Sequence, residues 1–233
     1  MKQLRINEAL DLHRLFEAYR SRDGLGWFFR GQADSSWPLV PKAGRHEFNN
    51  GRDLGRFKHW CERAVAHRDL PESIWEKLMV AQHYGLATRL LDWTFNPLVA
   101  TFFAVAEMPD HDGAVFAYFP ALFIDQSEEA IERIDTVAAL IPRAIDAWVL
   151  RQAAGFTVHP DPSTPLRAGE LAQPLSGPSL VQIVIPSDVK PEVRQMLENY
   201  GVNFHGLFPD LDGLSRHVNW GTSEMVRRLR ASK

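Results

Sequence analysis

The stretch that most constrains the fold runs from residue 87 to residue 106. Residues 87–91 are typical of a short strand, and the helix predicted from Leu98 to about residue 106 is apolar on almost every side. Such a helix has to be covered all round, so it predicts a central position in the core. The helix also has a defined start, because Asn96 is a good N-cap and Pro97 suits the first helical position.

Helix-like and strand-like patterns are interspersed along the rest of the chain without a regular βαβ repeat. The patterns predict helices over 7–21, 53–69, 72–84, most of 127–153 and 191–200, strands over 27–31, 113–119, 156–158 and 180–185, a proline-rich loop over 159–178, and an irregular segment over 201–220. This order favours an α+β fold with a mixed or antiparallel sheet flanked by helices. We expect a single domain over 1–233, with a basic tail over 221–233.

Composition narrows the classes of protein that fit. Hydrophobic residues make up 45% of the chain, which is enough for a core, and the single cysteine cannot form an internal disulfide. The N-terminal residues carry charges throughout, and no apolar run approaches the roughly 18 residues of a membrane span. We therefore expect a cytoplasmic protein without membrane contact. A net charge of −3 gives no global basic footprint, although it does not exclude a local groove.

Residues 82–97 place His83, Thr88, Arg89 and Asp92 within an otherwise apolar stretch. Polar groups in such surroundings are costly unless they are paired. If Asp92 ends a strand just before a helix N-terminus, an arginine there would help to form a cradle for phosphate or carboxylate. The alternative is structural: Arg89 and Asp92 form a buried pair, and His83 is a satisfied core histidine.

A second polar strand end, at Arg30 and Gln32, favours the functional interpretation, because two arginines at strand ends suggest converging anion contacts. We predict that Arg30 lines one pocket together with His83, Arg89 and Asp212.

Three stretches of the sequence resemble the bacterial FRG domain family. They are Phe29-Arg30-Gly31, the segment QHYGLATRLLDWTFNPLVATFFA over 82–104, and NFHGLFPDLDGL over 203–214. The resemblance extends from about residue 10 to about residue 215. It implies an intracellular prokaryotic or phage-associated protein.

A second resemblance is to ADP-ribosyltransferases of the Arg-Ser-Glu class. Phe29-Arg30-Gly31 is similar to their first strand, and Leu91-Asp92-Trp93-Thr94 with the helix from Pro97 is similar to their second element. This implies an ADP-ribosyltransferase-like fold in which Arg30 binds the phosphate or ribose of NAD and Tyr84 or Trp93 stacks on nicotinamide. The reaction would break the nicotinamide–ribose bond and transfer ADP-ribose to a nucleic-acid or protein acceptor. The sequence departs from the class at residues 151–157, where Gln152 stands in place of the catalytic glutamate.

The candidate site has two groups of residues. Those expected near the reacting ribose are His83, Asp92, Gln152 and Asp212; those expected to contact the ligand are Arg30, Gln32, Tyr84, Thr88, Arg89, Trp93 and Asn96. NAD is the expected substrate, no metal is predicted, and a toxin or anti-phage effector is the expected role.

Three alternatives stay open. The first is a nucleotide or nucleic-acid binding module without chemistry, and the second is a purely structural role for the polar residues. The third is a metal-dependent hydrolase using His83, Asp92, His205 and Asp210, although none of these has the tight spacing of metal ligands. The sequence does not identify the acceptor or an antitoxin partner.

Overall fold

The computed structural model describes residues 1–19, 26–126, 130–142, 154–171 and 177–231. Its strands are β1 (Lys2–Arg5), β2 (Phe28–Gln32), β3 (Leu90–Thr94), β4 (Gly113–Tyr118), β5 (Ala138–Leu140), β6 (Ala154–Val158), β7 (Glu170–Leu171), β8 (Gly177–Pro178) and β9 (Leu180–Ile185). Seven strands form one sheet in the order β1-β9-β4-β2-β3-β6-β5, and β7 pairs with β8 alone. β1 runs parallel to β9 and the other neighbours are antiparallel, so the sheet is mixed.

Seven α-helices lie within the described ranges and surround this sheet. They are α1 (Asp11–Glu17), α2 (Asp53–Ala64), α3 (Ile74–His83), α4 (Pro97–Val105), α5 (Lys190–Asn199), α6 (Phe204–Leu207) and α7 (Leu211–Ala231). The α+β fold with a mixed sheet and flanking helices is therefore confirmed. Among these helices, none combines the length and the apolar character needed to cross a membrane.

The core is built around α4, as its sequence predicts. Phe102 and Ala104 of this helix are buried against strand residues such as Val115 and Ile183. The N-cap is also confirmed, because the Asn96 side chain accepts a hydrogen bond from the Leu98 amide at 2.9 Å. Burial of most of the helix fixes its position over the sheet, and with it one wall of the site described below.

Two further apolar clusters complete the core. α2 and α3 pack on the β5–β6 end of the sheet through residues such as Trp75, Leu140 and Phe156. Leu91 and Phe116 belong to a third cluster, which also contains Phe28, Trp93 and Tyr118. Strand residues that alternate along β2 and β4 therefore contribute to different clusters, as the twofold period of a strand requires.

Several predicted boundaries were wrong. The first helix begins at Asp11 and not at residue 7, because the Asp11 carboxylate accepts hydrogen bonds from the Asn7 and Glu8 amides before the helix starts. Strand β3 begins at Leu90 and not at residue 87, so Asp92 lies within the strand and not at its end. The short edge strand β1 was not predicted, since its four residues are mostly exposed.

The prediction for 127–153 was also wrong where the structure describes it. Residues 130–142 contain a 3₁₀ turn at Ile131–Arg133 and strand β5, and no α-helix. The closing segment 201–220 is helical and not irregular, and its second helix, α7, continues through the basic tail to Ala231. The sequence did not predict this helix because a glycine, Gly213, lies in its first turn, and glycine disfavours helix formation. Gly213 is required there because an added Cβ would be 1.9 Å from the Phe208 carbonyl oxygen.

Candidate functional site

The site forms where β2 and β3 separate. β2 pairs with β4 along all five residues, from Phe28↔Tyr118 to Gln32↔Ala114, whereas its register with β3 consists of Phe29↔Thr94. Beyond that point a side chain replaces backbone pairing: Nη1 of Arg30 donates a hydrogen bond to the Asp92 carbonyl oxygen at 2.8 Å. The guanidinium thus bridges the two strands at the mouth of a cavity.

Each residue of the Phe-Arg-Gly sequence has a distinct task. Phe29 is buried in the core cluster that contains α4, and Arg30 faces the gap between the strands. Gly31 allows α4 to approach the sheet, because a Cβ at this position would lie 1.9 Å from the Ala100 carbonyl oxygen and 2.7 Å from the Ala104 amide nitrogen. The motif therefore anchors the strand, supplies a cation, and sets the distance between sheet and helix.

The cavity beside Arg30, which we call the Arg30 hollow, has a volume of about 870 Å³. Its polar and charged lining residues are Arg30, Gln32, Arg45, His46, Asp92, Thr94, Glu107 and Ser163. Two aromatic side chains in the lining are unusually accessible, Trp37 at 46% and Phe103 at 36% exposed. This volume lies within the range of small-molecule sites, which combine an apolar lining with a few polar groups.

Arg30 is the most constrained charge in this hollow. Its side chain is 15% exposed, and Nη1 lies 3.7 Å from Oδ2 of Asp92. Burial lowers the pKa of Arg30, the Asp92 carboxylate opposes that effect, and the Arg45 charge reinforces it. The guanidinium nevertheless stays charged in water. Its Nε atom is buried and has no hydrogen-bond partner among the described residues, so the cation is incompletely satisfied.

Asp92 connects the Arg30 hollow to a second cavity. Its side chain is exposed, and Oδ1 accepts a hydrogen bond from Nε2 of Gln82 at 2.6 Å. The second cavity, the His83 hollow, has a volume of about 580 Å³ and is lined by Lys42, Arg45, Gln82, His83, Leu86, Leu90, Leu91, Asp92, Leu207, Phe208, Pro209 and Asp210. Three residues, Arg45, Asp92 and Phe208, line both cavities, so the two hollows adjoin.

The structure therefore brings together part of the predicted site. Arg30, Gln32, Asp92 and Trp93 border the Arg30 hollow, and His83 lies in the adjoining one. Gln32 is buried, and its Nε2 donates to the Pro38 carbonyl oxygen at 3.4 Å. The Trp93 ring is turned into the interior, where Nε1 donates to Oγ1 of Thr157 at 3.0 Å. That contact leaves the indole poorly placed to stack on a nicotinamide ring.

Arg89 and Thr88 lie outside both hollows. Arg89 forms two hydrogen bonds with the Asp53 carboxylate, at 2.7 and 3.1 Å, and both residues are buried. The structural alternative was right that Arg89 is buried and paired, but its partner is Asp53 and not Asp92. Asp92 is exposed, and so is His83, which is therefore not a core histidine. Thr88 is also buried, with its hydroxyl bonded to Oε1 of Gln82 and to the Leu90 amide.

Tyr84, Asn96 and Asp212 are likewise not brought to the Arg30 hollow. Tyr84 borders a separate cavity on the surface of α2, and Asn96 is engaged in capping α4. Asp212 lies in the first turn of α7, whose N-terminus is capped by Asp210: Oδ1 of Asp210 accepts a hydrogen bond from the Gly213 amide at 2.7 Å. The prediction of a common pocket for Arg30, His83, Arg89 and Asp212 was therefore wrong for Arg89 and Asp212. Gln152 lies outside the described residues.

Sequence reasoning missed several residues of the Arg30 hollow. Trp37, Arg45 and His46 come from the aperiodic segment between β2 and α2, which carries no helix or strand period to interpret. Glu107 follows α4, and its carboxylate is paired with Arg216 at 3.0 Å. The local signal in the sequence was an aromatic residue, Trp37, between a serine and a proline in a segment without apolar periodicity.

A buried polar chain lies behind the site. Thr157 accepts a hydrogen bond from Trp93, and its hydroxyl lies 3.1 Å from Nε2 of His159. Burial lowers the pKa of His159 to about 4, the Thr164 backbone opposes the shift, and the nearby Arg30 charge adds to it. His159 is therefore neutral at physiological pH and adds no positive charge beside Arg30.

The ranges that the structure describes contain no group of three His, Cys, Asp or Glu side chains placed to hold a metal ion. The metal-dependent alternative built on His83, Asp92, His205 and Asp210 therefore has no geometric support in these ranges.

The fold and the site define the class of protein: it is an α+β domain with an arginine-lined cavity at the point where two neighbouring strands separate. A comparison with protein families identifies it further: the FRG domain matches residues 26–113, which include β2, α2, α3, β3 and α4. The chain thus contains an FRG-domain match over residues 26–113, and the matched region contains Arg30, Trp37, Arg45 and Asp92. No curated protein and no solved structure matches the chain significantly. The match is narrower than the 10–215 stretch expected from the resemblance, and no comparison supports the ADP-ribosyltransferase likeness.

Proposed function

We propose that the Arg30 hollow binds a nucleotide-like ligand, in which phosphate groups are joined to a planar heterocycle. The observation that carries this proposal is the incompletely satisfied Arg30 cation beside two accessible aromatic rings in one cavity of about 870 Å³. NAD and ADP-ribose are the first ligands to test, since the resemblance to ADP-ribosyltransferases implies them.

Two cations would hold the phosphates. Arg30 is partly balanced by Asp92, while the exposed Arg45 forms no ion pair with another described residue. The other carboxylate in the lining, Glu107, is occupied by Arg216. A guanidinium fork matches the geometry of phosphate oxygens, and a partly buried one interacts with them more strongly than an exposed one.

The accessible rings would hold the heterocycle. Trp37 and Phe103 expose 46% and 36% of their surface while lining the same cavity as Arg30. Phe103 packs edge-to-face against Phe102 and Phe208 and still exposes part of its ring, and no ring contact involving Trp37 occurs among the described residues. The exposed parts of the two rings offer flat faces on which a base or nicotinamide can stack. This supports a ligand that is planar at one end and anionic at the other.

Asp92 is the residue to which we assign chemistry, if the ligand is NAD. The C–N bond between nicotinamide and ribose would break, nicotinamide would leave with the bonding electron pair, and the ribose C1′ would become an oxocarbenium-like cation. The exposed Asp92 carboxylate would stabilise that charge until a nucleophile of a nucleic-acid or protein acceptor attacks C1′. His83, in the adjoining hollow, would accept the nucleophile's proton.

Isothermal titration calorimetry with ADP-ribose tests binding separately from chemistry. Arg30→Gln should weaken binding at least 30-fold, and Trp37→Ala should weaken it about tenfold without touching the Arg30 hydrogen bond. Arg133→Gln removes an exposed arginine from the Ile131–Arg133 turn, away from the hollow lining, and should change nothing. Wild-type protein that binds neither ADP-ribose nor NAD at millimolar concentration would refute the proposal.

Nicotinamide release from NAD tests the chemical step. We expect release in the presence of an oligonucleotide or protein acceptor, and Asp92→Asn should stop release while ADP-ribose still binds. Binding without any release would instead favour the alternative of a binding module without chemistry. In that case, the toxin or anti-phage effector role would have to act through ligand binding alone.

A further inference from the structure

The surface of α2 carries a concentration of positive charge that the Arg30 hollow does not use. Residues 52–68 contain five lysines or arginines and two acidic residues, in a chain whose net charge is −3. One of the two acids, Asp53, is already neutralised by Arg89 in the interior. The surface presented by this segment is therefore strongly basic.

These cations surround a hollow of their own, which we call the α2 hollow, with a volume of about 770 Å³. Arg56, Arg63 and Arg68 line it together with His59 and His67, and no carboxylate is among its described lining residues. Arg56, His59 and Arg63 are spaced by three and four residues, which places them on one face of α2. The α2 hollow shares no lining residue with the Arg30 hollow.

The arginines of the α2 hollow form no ion pairs with other described residues. Nη2 of Arg56 is buried and has no hydrogen-bond partner in the described ranges, although Nη1 bonds to Asn50. Arg63 and Arg68 form no ion pair with another described residue, and the Arg68 guanidinium donates to the Tyr84 hydroxyl at 3.3 Å. Uncompensated arginines of this kind attract phosphate groups.

An exposed aromatic ring lies among these cations. Tyr84 is 61% exposed, and the Arg68 guanidinium carbon is 5.9 Å from the centre of its ring. Trp60 also lines the hollow and is half-buried. Basic grooves with interleaved aromatic side chains are the arrangement that binds single-stranded nucleic acid, because phosphates meet the cations and bases stack on the rings.

We propose that the α2 hollow binds single-stranded nucleic acid. Arg56, Arg63 and Arg68 contact successive phosphates, and Tyr84 stacks on a base. The cations extend from residue 56 to residue 68 along and beyond a helix that rises about 1.5 Å per residue, so they can reach more than one phosphate of an extended strand. The exposed ring distinguishes this ligand from a simple inorganic anion, which has no flat face to stack.

The test is fluorescence anisotropy with a labelled single-stranded oligothymidine of 15 nucleotides, at low and at moderate salt. The double variant Arg63→Glu/Arg68→Glu should bind at least 20-fold more weakly than wild type and show a shallower salt dependence. Arg133→Glu/Arg230→Glu reverses two exposed charges elsewhere and should stay within about threefold of wild type. The proposal is overturned if wild type does not bind at low salt, or if the two double variants bind alike.

A second comparison separates nucleic acid from anions in general. Tyr84→Ala should weaken oligothymidine binding about fivefold or more and leave binding of inorganic polyphosphate unchanged. Equal affinity of wild type and Tyr84→Ala for oligothymidine would overturn the nucleic-acid assignment and leave a general anion surface. Arg30→Gln should bind the oligonucleotide normally, so failure of the nucleotide proposal for the Arg30 hollow is distinguishable from failure here.

Discussion

Arg30 lies within β2 and Arg89 lies just before the neighbouring strand β3, and the surroundings of these two arginines give them different roles. Arg89 directs two nitrogen atoms at both oxygens of Asp53, at 2.7 and 3.1 Å, in the interior. Arg30 makes one hydrogen bond to a backbone carbonyl, faces a carboxylate at 3.7 Å, and borders an open cavity. A cation whose donors are saturated in the core stabilises the fold, whereas one with unused donors at a cavity can bind a ligand.

The difference arises from the groups that surround each arginine. Arg89 lies just before β3 and faces Asp53 at the start of α2, so its charge is enclosed by helix and sheet. Arg30 lies where β2 ceases to pair with β3, at the border of the Arg30 hollow. Substitutions that remove one of the two arrangements at a time therefore separate effects on stability from effects on ligand binding.

Gly31→Ala should have the largest effect, because it forces α4 away from the strand that carries Arg30. The added Cβ would lie 1.9 Å from the Ala100 carbonyl oxygen, a backbone atom that cannot move alone. We expect a loss of more than about 4 kcal/mol of unfolding free energy, measured by urea denaturation. Gly55→Ala is the matched control, since nothing lies within 4 Å of its Cβ on α2, and it should be neutral or stabilising by up to about 1 kcal/mol. Equal effects of the two substitutions would contradict the close packing of α4 on β2.

Asp53→Ala tests the Arg89 side of the comparison. It leaves the Arg89 charge buried without its partner, which should cost about 3–5 kcal/mol of unfolding free energy. The double variant Asp53→Leu/Arg89→Met removes both charges and should recover most of that loss. A cost below about 1 kcal/mol for Asp53→Ala would mean that the pair does not brace the core.

His159→Gln tests the buried polar chain behind Arg30 through pH. The pKa of His159 is about 4 in the folded protein and near 6.5 in the unfolded chain, so the unfolded state binds more protons between these values. Wild type should therefore lose stability relative to the variant as pH falls from 6.5 to 4, by about 3 kcal/mol in total. Urea denaturation of both proteins across this range measures the difference, and parallel curves would place His159 in contact with solvent.

Arg30→Gln should have the smallest effect on stability. It removes one hydrogen bond to the Asp92 carbonyl at the rim of a cavity that water can enter, which costs about 1 kcal/mol. The same substitution should weaken ADP-ribose binding at least 30-fold. Arg30→Gln should therefore affect binding much more than stability, whereas Asp53→Ala should mainly lower stability. A large stability loss for Arg30→Gln, comparable to that of Asp53→Ala, would make Arg30 a structural residue like Arg89.

The sequence predicted those features that depend on local chemistry. The Asn96 cap and the buried helix α4 follow from residue types in adjacent positions. The contact between Arg30 and Asp92, which are 62 residues apart, was suggested by polar residues at two predicted strand ends and not by local chemistry. The sequence did not predict that Arg89 pairs with Asp53, because the two are 36 residues apart and only the packing of α2 brings them together. Polar residues in an apolar run indicate that each has a hydrogen-bond or ion-pair partner, but they do not identify the residue that provides it.

The other site residues that the sequence did not predict were missed for similar reasons. Trp37 and Arg45 belong to a segment without a period, and their place in the Arg30 hollow depends on the path of the chain after β2. The basic surface of α2 was overlooked because a net charge of −3 conceals a local excess of arginine. The resemblance to ADP-ribosyltransferases implied a place for Tyr84 in the site, whereas its position at the end of α3 places it in the α2 hollow.

The most direct test of the central claim is an NMR titration that follows the indole N–H signals of the tryptophans during addition of ADP-ribose, with Trp37 assigned by a Trp37→Phe variant. The account predicts that the Trp37 signal shifts in wild type, that Trp60 in the α2 hollow does not, and that Arg30→Gln abolishes the shift. A Trp37 signal that stays unchanged while ADP-ribose binds, or that shifts equally in Arg30→Gln, would contradict a ligand site at the Arg30 hollow.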